Sequence, residues 1–456
     1  MSTVSRLTSI VTSLPPPVGK LLTLIPYGFR PVLGGVYRRR QAEIAALTTA
    51  TSSEKEDFVL ERMRTIVSHA WDNVPFYRHL YEAAGFRPER ITCFDALGEI
   101  PLVTKEMLSA CDLEERSSAV PGRYVANTGG SSGTPLSFYI LPSSMGHEWA
   151  HMHHIWRKLG HSLSDVKLTF IGRNVGDRIV PYDALRHQFA VNIYRPNEEI
   201  AQALRSVMQR ITSAYLLGYP SALYEFASYC ESEDPELTRL LASRLRGGFL
   251  GSEYPAPAYR DKIESVFKIP TVSWYGHTER CVLAWEKEDK DVYFPFHSYG
   301  FAEAVRNPTT GRINLVGTSY YNTASPLIRY NTEDEISPLD TACGLLESFR
   351  VQGGRKGDYI LDKNGKKIAL TGLIFGRHHR MFGIARFVQI AQREPGKAVL
   401  YVTIADDSLP LKDYPEWFDL SDVEIDFVFR RIDSPILTES GKVILNVSRL
   451  AALQDD

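Results

Sequence analysis

The sequence predicts an α/β protein with a large N-terminal domain and a small, mobile α+β C-terminal domain. Between about residues 100 and 280, short apolar runs of strand type alternate with helical segments, which is typical of mostly parallel sheets covered by helices. After about residue 280, short strands separated by turns predict a small β subdomain within the large domain. The residues after 345 show a smaller pattern of strands, turns and helical segments.

Two segments have clear helical periodicity, because apolar side chains recur on one face of each at a spacing of three or four residues. These faces consist of Val59, Met63, Ile66, Val67 and Ala70 in the first segment, and of Ile200, Leu204, Val207, Met208 and Ile211 in the second. The strand-type runs are Val166–Ile171, Gly248–Leu250 and Thr271–Trp274, followed after residue 280 by Tyr293–Phe296, Ala302–Val305 and Arg312–Val316.

The predicted domain organisation is an N-terminal arm over residues 1–50, a large domain over 51–345 and a small lid domain over 346–456. The boundary is placed near 345–356, where Gly344, Gly353 and Gly354 cluster. The arm ends in the basic run Arg38–Arg40, which we expect to be a solvated helix turn. The chain of 456 residues is too long for a single core, which agrees with more than one domain.

Composition excludes several classes of protein. The chain has 52 Lys and Arg against 54 Asp and Glu, which argues against a nucleic-acid binder that depends on bulk charge. The five cysteines are widely spaced and form no CxxC, so a reducing, cytoplasmic compartment is expected. No stretch approaches the roughly 18 apolar residues of a transmembrane helix, and no cleaved signal peptide is expected. The apolar stretch 14–29 leaves peripheral contact with a membrane surface open.

The segment Thr128–Pro135, with the sequence TGGSSGTP, joins two predicted strands. Its three glycines let successive N–H groups point to one place, and its hydroxyl groups add hydrogen-bond donors, so it can cradle a polyphosphate. It is not a Walker A loop, because it lacks Gly-Lys-Ser/Thr and a strand follows it. From the residues alone, an ordinary Gly/Ser hairpin turn remains the alternative.

Polar residues also follow the run Thr271–Trp274. Open α/β sheets bind ligands at the carboxyl ends of their strands, so Thr278 could donate to a phosphate and Glu279 could hold a magnesium ion. A polar turn with a salt-bridged glutamate is the alternative. Further along, Asp334 could accept two hydrogen bonds from a ribose diol.

Several histidines are spaced so that they could bind a metal ion, but other roles are favoured for them. His147, His151 and His154 share one helical face, for which we weigh helix packing, pocket lining and metal binding, in decreasing order. A zinc site of the cysteine type is not expected either, because the five cysteines are far apart and form no CxxC. The run 378–380, His-His-Arg, is interpreted as a solvated basic patch, with binding of the phosphates of an acceptor molecule as the alternative.

Taken in order, these segments resemble the adenylate-forming superfamily of acyl-CoA synthetases, adenylation domains and luciferases. They are most similar to its phenylacetate-CoA ligase branch, and within that branch to the capsular-polysaccharide-type, CapK-like proteins. The resemblance covers most of the chain. It is carried by Asn73–Arg78, Ala84–Phe86, Ile100–Lys105, Gly218–Leu223, Gly251–Glu253, Tyr275–Glu279, Arg329–Asp334, the pair 354–355 (Gly-Arg) and the pair 441–442 (Gly-Lys).

The resemblance implies that ATP and a carboxylic acid react to an acyl-adenylate and pyrophosphate. It assigns the β- and γ-phosphates to the loop residues Thr128, Gly129, Gly130, Ser131, Ser132, Gly133 and Thr134. It assigns the adenine to Ser252, Glu253 and Tyr275, the α-phosphate to Thr278, the magnesium ion to Glu279, the ribose to Asp334 and Arg355, and the substrate acid to Gly276 and His277.

The resemblance further implies that Lys442, carried by the small domain, bridges the carboxylate and the α-phosphate as negative charge develops. Together with Thr278 and Glu279, it forms the predicted catalytic set. The small domain is expected to rotate after adenylation, so that the acyl group passes to CoA or to an amine or hydroxyl acceptor. The pathway implied is polysaccharide or secondary-metabolite biosynthesis. The alternative function is a catalytically weak nucleotide-binding or assembly protein of a polysaccharide pathway.

The sequence departs from the family pattern at four positions. Thr134 stands where the loop of many members has a lysine, so one phosphate-contacting cation is missing. Asn331 and Glu333 replace residues of the common Arg-Thr-Gly-Asp core, and Gly357 stands where many members have an acidic hinge residue. These departures put the rate and the hinge in question more than nucleotide binding.

Overall fold

A computed structural model describes residues 11–127, 136–172, 175–308, 311–342, 344–351, 359–370, 373–374, 377, 379–404, 410–436, 445–448 and 450. The helices are α1 Pro16–Leu22, α2 Gly34–Thr49, α3 Ser52–Asn73, α4 Pro75–Ala83, α5 Lys105–Ser109, α6 Ser144–Arg157, α7 Asn197–Met208, α8 Pro220–Glu233, α9 Pro235–Arg244, α10 Pro257–Phe267 and α11 Tyr414–Trp417.

The strands before residue 280 are β1 Tyr124–Asn127, β2 Ser137–Ile140, β3 Val166–Phe170, β4 Tyr182–Asp183, β5 Gln188–Ala190, β6 Ala214–Gly218, β7 Leu245–Leu250 and β8 Thr271–Gly276. The later strands are β9 Leu283–Glu286, β10 Tyr293–Pro295, β11 Gly300–Arg306, β12 Ile313–Ser319, β13 Tyr330–Ala342, β14 Leu345–Val351, β15 Tyr359–Leu361, β16 Lys367–Ala369, β17 Ala385–Glu394, β18 Lys397–Ile404 and β19 Asp426–Arg431.

Twelve of these strands form one sheet, in the order β11-β12-β13-β14-β10-β9-β8-β7-β6-β3-β5-β4. The strands β5, β3, β6, β7 and β8 run parallel to one another, whereas β4 pairs antiparallel with β5 and the pairing from β8 to β9 onward is antiparallel. The predicted α/β class is confirmed. The strands after residue 280 extend the parallel sheet rather than standing apart from it, because β9 pairs with β8. Strand β8 is therefore where the sheet changes from parallel to antiparallel.

The predicted helix near residue 59 is confirmed as α3, and its ends follow from local chemistry. Thr51 and Glu54 form a capping box, in which the Thr51 side chain accepts from the Glu54 N–H and the Glu54 carboxylate accepts from the Thr51 N–H. The buried face consists of the five predicted residues Val59, Met63, Ile66, Val67 and Ala70. The helix ends just before Pro75, which begins α4 at a position where its missing N–H costs nothing.

The last part of the chain forms a separate three-stranded sheet in the order β17-β18-β19, with its own apolar core. Tyr194 of the preceding region belongs to that core, and the Arg377 guanidinium lies 4.3 Å from the centre of its ring. The Lys366 ammonium donates to the carbonyl of Arg195 at 2.5 Å. The large sheet continues through β14 to Val351, so the division between the two sheets falls after that residue.

The basic run of the arm is solvated only in part. Arg38 and Arg39 are exposed, as predicted, but Arg40 is buried. Its guanidinium lies 3.9 Å from the centre of the Tyr321 ring and pairs with Glu43 on the next helical turn. The expectation was wrong for Arg40 because helical geometry turns one residue of such a run toward the protein. Among the described residues, no helix is long and apolar enough to cross a membrane.

Candidate functional site

The carboxyl ends of β3, β6, β7 and β8 lie at one edge of the sheet, because these strands are parallel. Glycines allow the chain to approach closely there. A Cβ atom at Gly218 would lie 2.5 Å from the Phe170 carbonyl oxygen, and one at Gly251 would lie 2.2 Å from the Trp274 ring. Two loops that follow these strands carry predicted site residues, and this edge is where open α/β sheets bind ligands.

The turn after β7 contains the two residues predicted to flank adenine. Ser252 is exposed and has a positive φ of 67°, which sets it apart from ordinary loop backbone. Glu253 reaches the start of α8, where its carboxylate accepts from the Ser221 N–H at 3.2 Å. Burial raises the pKa of Glu253, and the hydrogen bonds from Ser221 offset part of that effect. The structure thus places both residues at the sheet edge.

Tyr275 and Asp334, predicted to contact the adenine and the ribose, meet directly. The Tyr275 hydroxyl donates to Asp334 Oδ2 at 2.6 Å, although the two residues are far apart in the chain. The Asp334 N–H donates to the Thr332 hydroxyl at 3.2 Å, which orients the turn that carries the carboxylate. Burial, followed by the charge of Asp334, raises the pKa of Tyr275 well above its ordinary value, so the phenol remains a donor.

His277 and Glu279 form the polar end of β8. The His277 Nδ1 atom lies 3.3 Å from Glu279 Oε2, and the Tyr330 hydroxyl lies 3.5 Å from Oε1, beyond a strong hydrogen bond. Burial acts to raise the pKa of Glu279, but the hydrogen bond and charge of His277 outweigh it, with smaller contributions from the backbone N–H of Glu279 itself and from the charge of Lys105, so that the pKa is lowered. The carboxylate is therefore ionised at neutral pH, although its side chain is only 15% exposed.

The donor chemistry of this strand end fits a magnesium ion. Magnesium is usually held by one or two carboxylates, with water and substrate phosphates completing its shell. Glu279 supplies an ionised carboxylate with one long hydrogen bond, and Thr278 beside it is partly exposed. Among the described residues no group of three or more His, Cys, Asp or Glu side chains could hold a metal, so an all-protein cage is not seen there.

The residues assigned to the substrate acid differ in exposure. Gly276 is exposed at the end of β8, and His277 beside it is partly buried. His277 Nε2 is buried and has no hydrogen-bond partner among the described residues. A buried ring nitrogen without a partner is costly, and a ligand could satisfy it.

Three predicted parts lie outside the described residues. They are the loop residues Thr128–Thr134, Arg355 and Lys442, together with the departure at Gly357. The strands on either side of the loop are described, and Asn127 pairs with Ser137 across their antiparallel ladder. Near Lys442, the described residue Asn446 bridges to Ile390 of the three-stranded sheet.

Two departures from the family pattern have a structural explanation. Asn331 Oδ1 accepts from the Glu333 N–H at 3.0 Å and from Asn314 Nδ2 at 3.2 Å. Glu333 is exposed and has a positive φ of 62°, a strained conformation that the Asn331 hydrogen bond supports. The substitutions therefore shape the turn that carries Asp334 without replacing Asp334 itself.

The histidine face of α6 has a packing role, as we favoured. His147 stacks on Tyr321 with ring centres 4.2 Å apart. His151 contacts Ser298 Oγ at 2.9 Å, and burial lowers its pKa to about 3, so the ring is neutral. His154 packs edge-on against Trp285. His151 is buried, and His147 and His154 are partly buried, so all three rings take part in packing. Among the described residues no group of side chains supports the metal alternative.

The prediction of a solvated basic patch at 378–380 was wrong for His379. That ring is buried, with Nε2 2.9 Å from the Leu373 carbonyl and Nδ1 accepting from the Asp419 N–H at 2.9 Å. Backbone partners satisfy both ring nitrogens, so the residue packs in the small domain's core instead of facing solvent. Arg380 is exposed, as predicted, and lies over the Trp417 ring.

Three further residues of the predicted motifs contact site residues, although no role was predicted for them. Ser221 binds Glu253, Lys105 lowers the pKa of Glu279 although it is buried, and Tyr330 lies beside the same carboxylate. Each belongs to a segment that carries the family resemblance, so its position in a motif was the available signal. Its contact could not be read from the sequence, since the partners are distant in the chain.

The chain is similar to characterised acid–CoA ligases. It is 26% identical over 349 residues to a phenylacetate-coenzyme A ligase of Pseudomonas putida, which covers 70% of this chain and 75% of that protein. A phenylacetate-coenzyme A ligase of Aromatoleum evansii is 23% identical over 355 residues, covering 70% and 74%. Protein CapK of Staphylococcus aureus is 21% identical over 372 residues, covering 76% and 78%. No protein-family model matches the chain.

Solved structures share the fold. A 2-hydroxyisobutyryl-CoA ligase in complex with 2-HIB-AMP and CoA, in the thioesterification state, aligns with a TM-score of 0.56 at 18% identity, covering 87% of this chain and 91% of that one. The same ligase in the postadenylation state aligns with a TM-score of 0.54 at 18% identity, covering 89% and 91%. The predicted α/β architecture is therefore that of known ligases.

Proposed function

We propose, from the chain's place in the phenylacetate-CoA ligase branch of the adenylate-forming superfamily, that it is an ATP-dependent, AMP-forming ligase. It activates a carboxylic acid to an acyl-adenylate and releases pyrophosphate, and it then transfers the acyl group to an acceptor. The observation that carries this proposal is the ionised, nearly buried Glu279 at the carboxyl end of β8, with His277 on one side and the Tyr275–Asp334 pair nearby.

The proposed roles follow the chemistry of each side chain. Asp334, fixed by Tyr275, accepts hydrogen bonds from the ribose hydroxyls. Ser252 and Glu253 border the adenine, together with the ring of Tyr275. Thr278 donates to the α-phosphate, and Glu279 would hold Mg²⁺, which neutralises phosphate charge when it is bound. Gly276 and His277 border the acid, where His277 Nε2, which has no hydrogen-bond partner in the described part of the chain, is available to the substrate.

The remaining roles belong to residues outside the described part of the chain. The loop Thr128–Thr134 binds the β- and γ-phosphates through its backbone N–H groups, and Arg355 assists at the ribose. Lys442 reaches the reacting carboxylate and the α-phosphate. Both groups are anionic, so a fixed cation between them lowers the energy of the transition state.

CoA is the first acceptor to test, because two of the similar proteins are phenylacetate-coenzyme A ligases. An amine or hydroxyl acceptor is the second, and the similarity to CapK is the reason to keep polysaccharide biosynthesis as a pathway hypothesis. The cytoplasm is the proposed compartment. Four cysteines described in the structure, Cys93, Cys111, Cys230 and Cys281, are free thiols, which suits reducing conditions.

We also propose that the C-terminal part rotates as a lid between the two half-reactions. Its separate three-stranded sheet supports this division. Because β14 belongs to the large sheet, the hinge is proposed to follow Val351 rather than residue 345. Movement of the lid would have to break the contacts of Lys366 and Arg377 with the 194–195 segment.

The test is a pyrophosphate-release screen over aryl, aliphatic and amino acids, with and without CoA. We expect one class of acid to give pyrophosphate and AMP in a magnesium-dependent reaction. ADP and phosphate as products would contradict the proposal, because they would mean attack on the γ-phosphate. ATP binding without pyrophosphate release for any acid would favour the alternative, a nucleotide-binding or assembly protein.

Lys442→Ala tests the lid. We expect adenylate formation to fall by about 10²–10³-fold, as when one preorganised electrostatic contact is removed. Transfer from preformed adenylate should fall much less, because the lid has by then rotated the lysine away. The matched control is Lys412→Ala, which truncates an exposed lysine of the same region. Equal losses in both half-reactions would indicate a structural lysine, and no loss in either would remove Lys442 from the site.

A further inference from the structure

The N-terminal arm exposes an unusual amount of apolar surface. Thirteen large hydrophobic side chains are exposed among the described residues, and six of them lie between residues 18 and 32. The most exposed are Phe29 at 73%, Leu24 at 72% and Val32 at 71%. These six residues, which we call the arm patch, are Val18, Leu21, Leu24, Ile25, Phe29 and Val32. Exposed apolar side chains that concentrate in one short segment in this way indicate an interaction surface.

The opposite face of the arm is packed on the rest of the protein. Gly19 is buried so closely against Tyr182 that a Cβ atom there would lie 2.2 Å from the phenol oxygen. The Tyr27 ring lies edge-on to His153, with ring centres 4.7 Å apart, and the Thr12 carbonyl accepts from the Ala184 N–H at 3.1 Å. The arm is thus held in place with one apolar face inward and the arm patch outward.

The charged residues of the arm itself are all positive. Residues 1–42 contain six Lys or Arg and no Asp or Glu, although the whole chain has a net charge of -2. Of these, Lys20, Arg38 and Arg39 are exposed. The Arg38 guanidinium donates to the Gly28 carbonyl and lies 5.5 Å from the centre of the Phe29 ring, so positive charge and apolar surface adjoin.

We propose that the arm patch docks on an anionic membrane surface. Exposed apolar side chains flanked by lysine and arginine are the composition of segments that lie in the membrane interface, where the side chains enter the headgroup region and the cations face anionic lipids. Helix α1 has seven residues, far fewer than the roughly 20 needed to span a bilayer, so the arm lies on the surface. A second copy of the chain fits less well, because it would bring two patches of the same charge together.

Vesicle co-sedimentation of the full chain tests the proposal. We expect binding to vesicles of phosphatidylcholine mixed with phosphatidylglycerol, much weaker binding to phosphatidylcholine alone, and release at high salt, since screening weakens the electrostatic part. Equal binding to both vesicles, or none to either, would overturn the proposal. This test is independent of catalysis, so it can fail while the ligase proposal stands.

Two double variants separate the apolar and the electrostatic contributions. Leu24→Ser with Phe29→Ser removes exposed apolar area, and Lys20→Glu with Arg39→Glu reverses exposed charge. We expect each to weaken binding to anionic vesicles by about tenfold or more. The control Leu339→Ser removes a half-exposed apolar side chain elsewhere, on β13, and should leave binding unchanged.

Thermal unfolding of all variants should match that of the wild type, because the changed side chains are exposed. Equal loss of vesicle binding in the control would show nonspecific adsorption and overturn the proposal. A dimer that the Leu24→Ser, Phe29→Ser variant abolishes, in a protein that does not bind vesicles, would assign the arm patch to a second copy instead.

Discussion

Two nearly buried carboxylates lie at opposite ends of β8 and differ sharply in how their oxygens are satisfied. Glu286 is the last residue of β9 and lies beside the first half of β8. It receives two hydrogen bonds from Arg260, at 2.6 and 2.8 Å, and one each from the N–H groups of Ser273 and Asp291, at 2.8 Å. Glu279, at the other end, has a 3.3 Å contact with His277 and a 3.5 Å contact with Tyr330.

The difference separates a structural carboxylate from one available to a ligand. A buried charge is tolerated when its partners saturate it, and Glu286 meets that condition within the protein. Glu279 keeps its charge with weaker partners, at the strand end where open sheets bind ligands. Incomplete satisfaction of a buried, ionised group is therefore the feature that points to function at the carboxyl end of β8.

Arg260→Ala should cause the largest loss of stability. It leaves Glu286 buried without its cation, which typically costs about 3–5 kcal/mol in unfolding free energy. Chemical denaturation measures this loss, and the folded fraction should still bind ATP. The matched control is Lys262→Ala on the same helix, whose surface ion pair with Glu231 should contribute far less to stability, because solvent screens it. Equal effects of the two variants would show that the Glu286 site does not depend on Arg260.

Glu279→Gln should lower activity and leave stability almost unchanged, the opposite of Arg260→Ala. The amide keeps the shape and an acceptor for His277, so stability should change little. Pyrophosphate release should fall by about 10²–10³-fold, because the charge that we propose to hold magnesium is lost, and more magnesium should be needed. The control Glu335→Gln removes a partly exposed carboxylate on β13. A stability loss like that of Arg260→Ala, with normal activity, would make Glu279 structural and erase the contrast.

Local signals predicted the fold well. The buried face of α3 and the parallel strands up to Gly276 depend on periodicity and composition, which act over a few residues. They also placed Glu279 at a strand end. The partners of Glu279 come from distant parts of the chain, Lys105 and Tyr330, and no periodicity records such contacts.

The two mistaken interpretations have the same cause. Arg40 and His379 stand in basic runs that composition assigns to solvent, yet both are buried. Arg40 lies over the Tyr321 ring and forms an ion pair with Glu43, and the His379 ring forms hydrogen bonds with two backbone groups. Tertiary partners that satisfy a polar group remove the cost of burying it. Such partners become visible only once the chain is folded.

Glu225 is a third carboxylate to compare with Glu286 and Glu279, and its surroundings disfavour its ionised form. It lies on α8, and burial raises its pKa to about 7, although Lys366 and Lys367 act against this. A carboxyl whose pKa is higher in the folded state binds more protons there, so stability falls as the pH rises from about 4.5 to about 7.

Glu225→Gln removes that titration. Its gain in unfolding free energy over the wild type should therefore grow by about 2–3 kcal/mol between about pH 5 and pH 8. Urea denaturation at both pH values measures the change, and Glu233→Gln, at an exposed site on the same helix, is the control. If the difference in unfolding free energy between Glu225→Gln and the wild type stayed constant with pH, the surroundings of Glu225 would not disfavour its charge, and it would resemble the well-satisfied Glu286.

Tyr275→Phe should have the smallest effect and tests the neighbour of Glu279. It removes the hydroxyl that donates to Asp334 at 2.6 Å, a hydrogen bond to a charged group worth roughly 1.5–3 kcal/mol at most. Asp334 keeps its backbone contact with Thr332, so we expect a loss near the low end, seen as a rise of about tenfold in the KM for ATP with kcat nearly unchanged. The matched control is Tyr293→Phe, since that hydroxyl lies 3.4 Å from Ser273 Oγ, near Glu286 at the structural end of β8. If Tyr293→Phe raised the KM for ATP as much as Tyr275→Phe, or if Tyr275→Phe lowered only stability, the two ends of β8 would not differ in function.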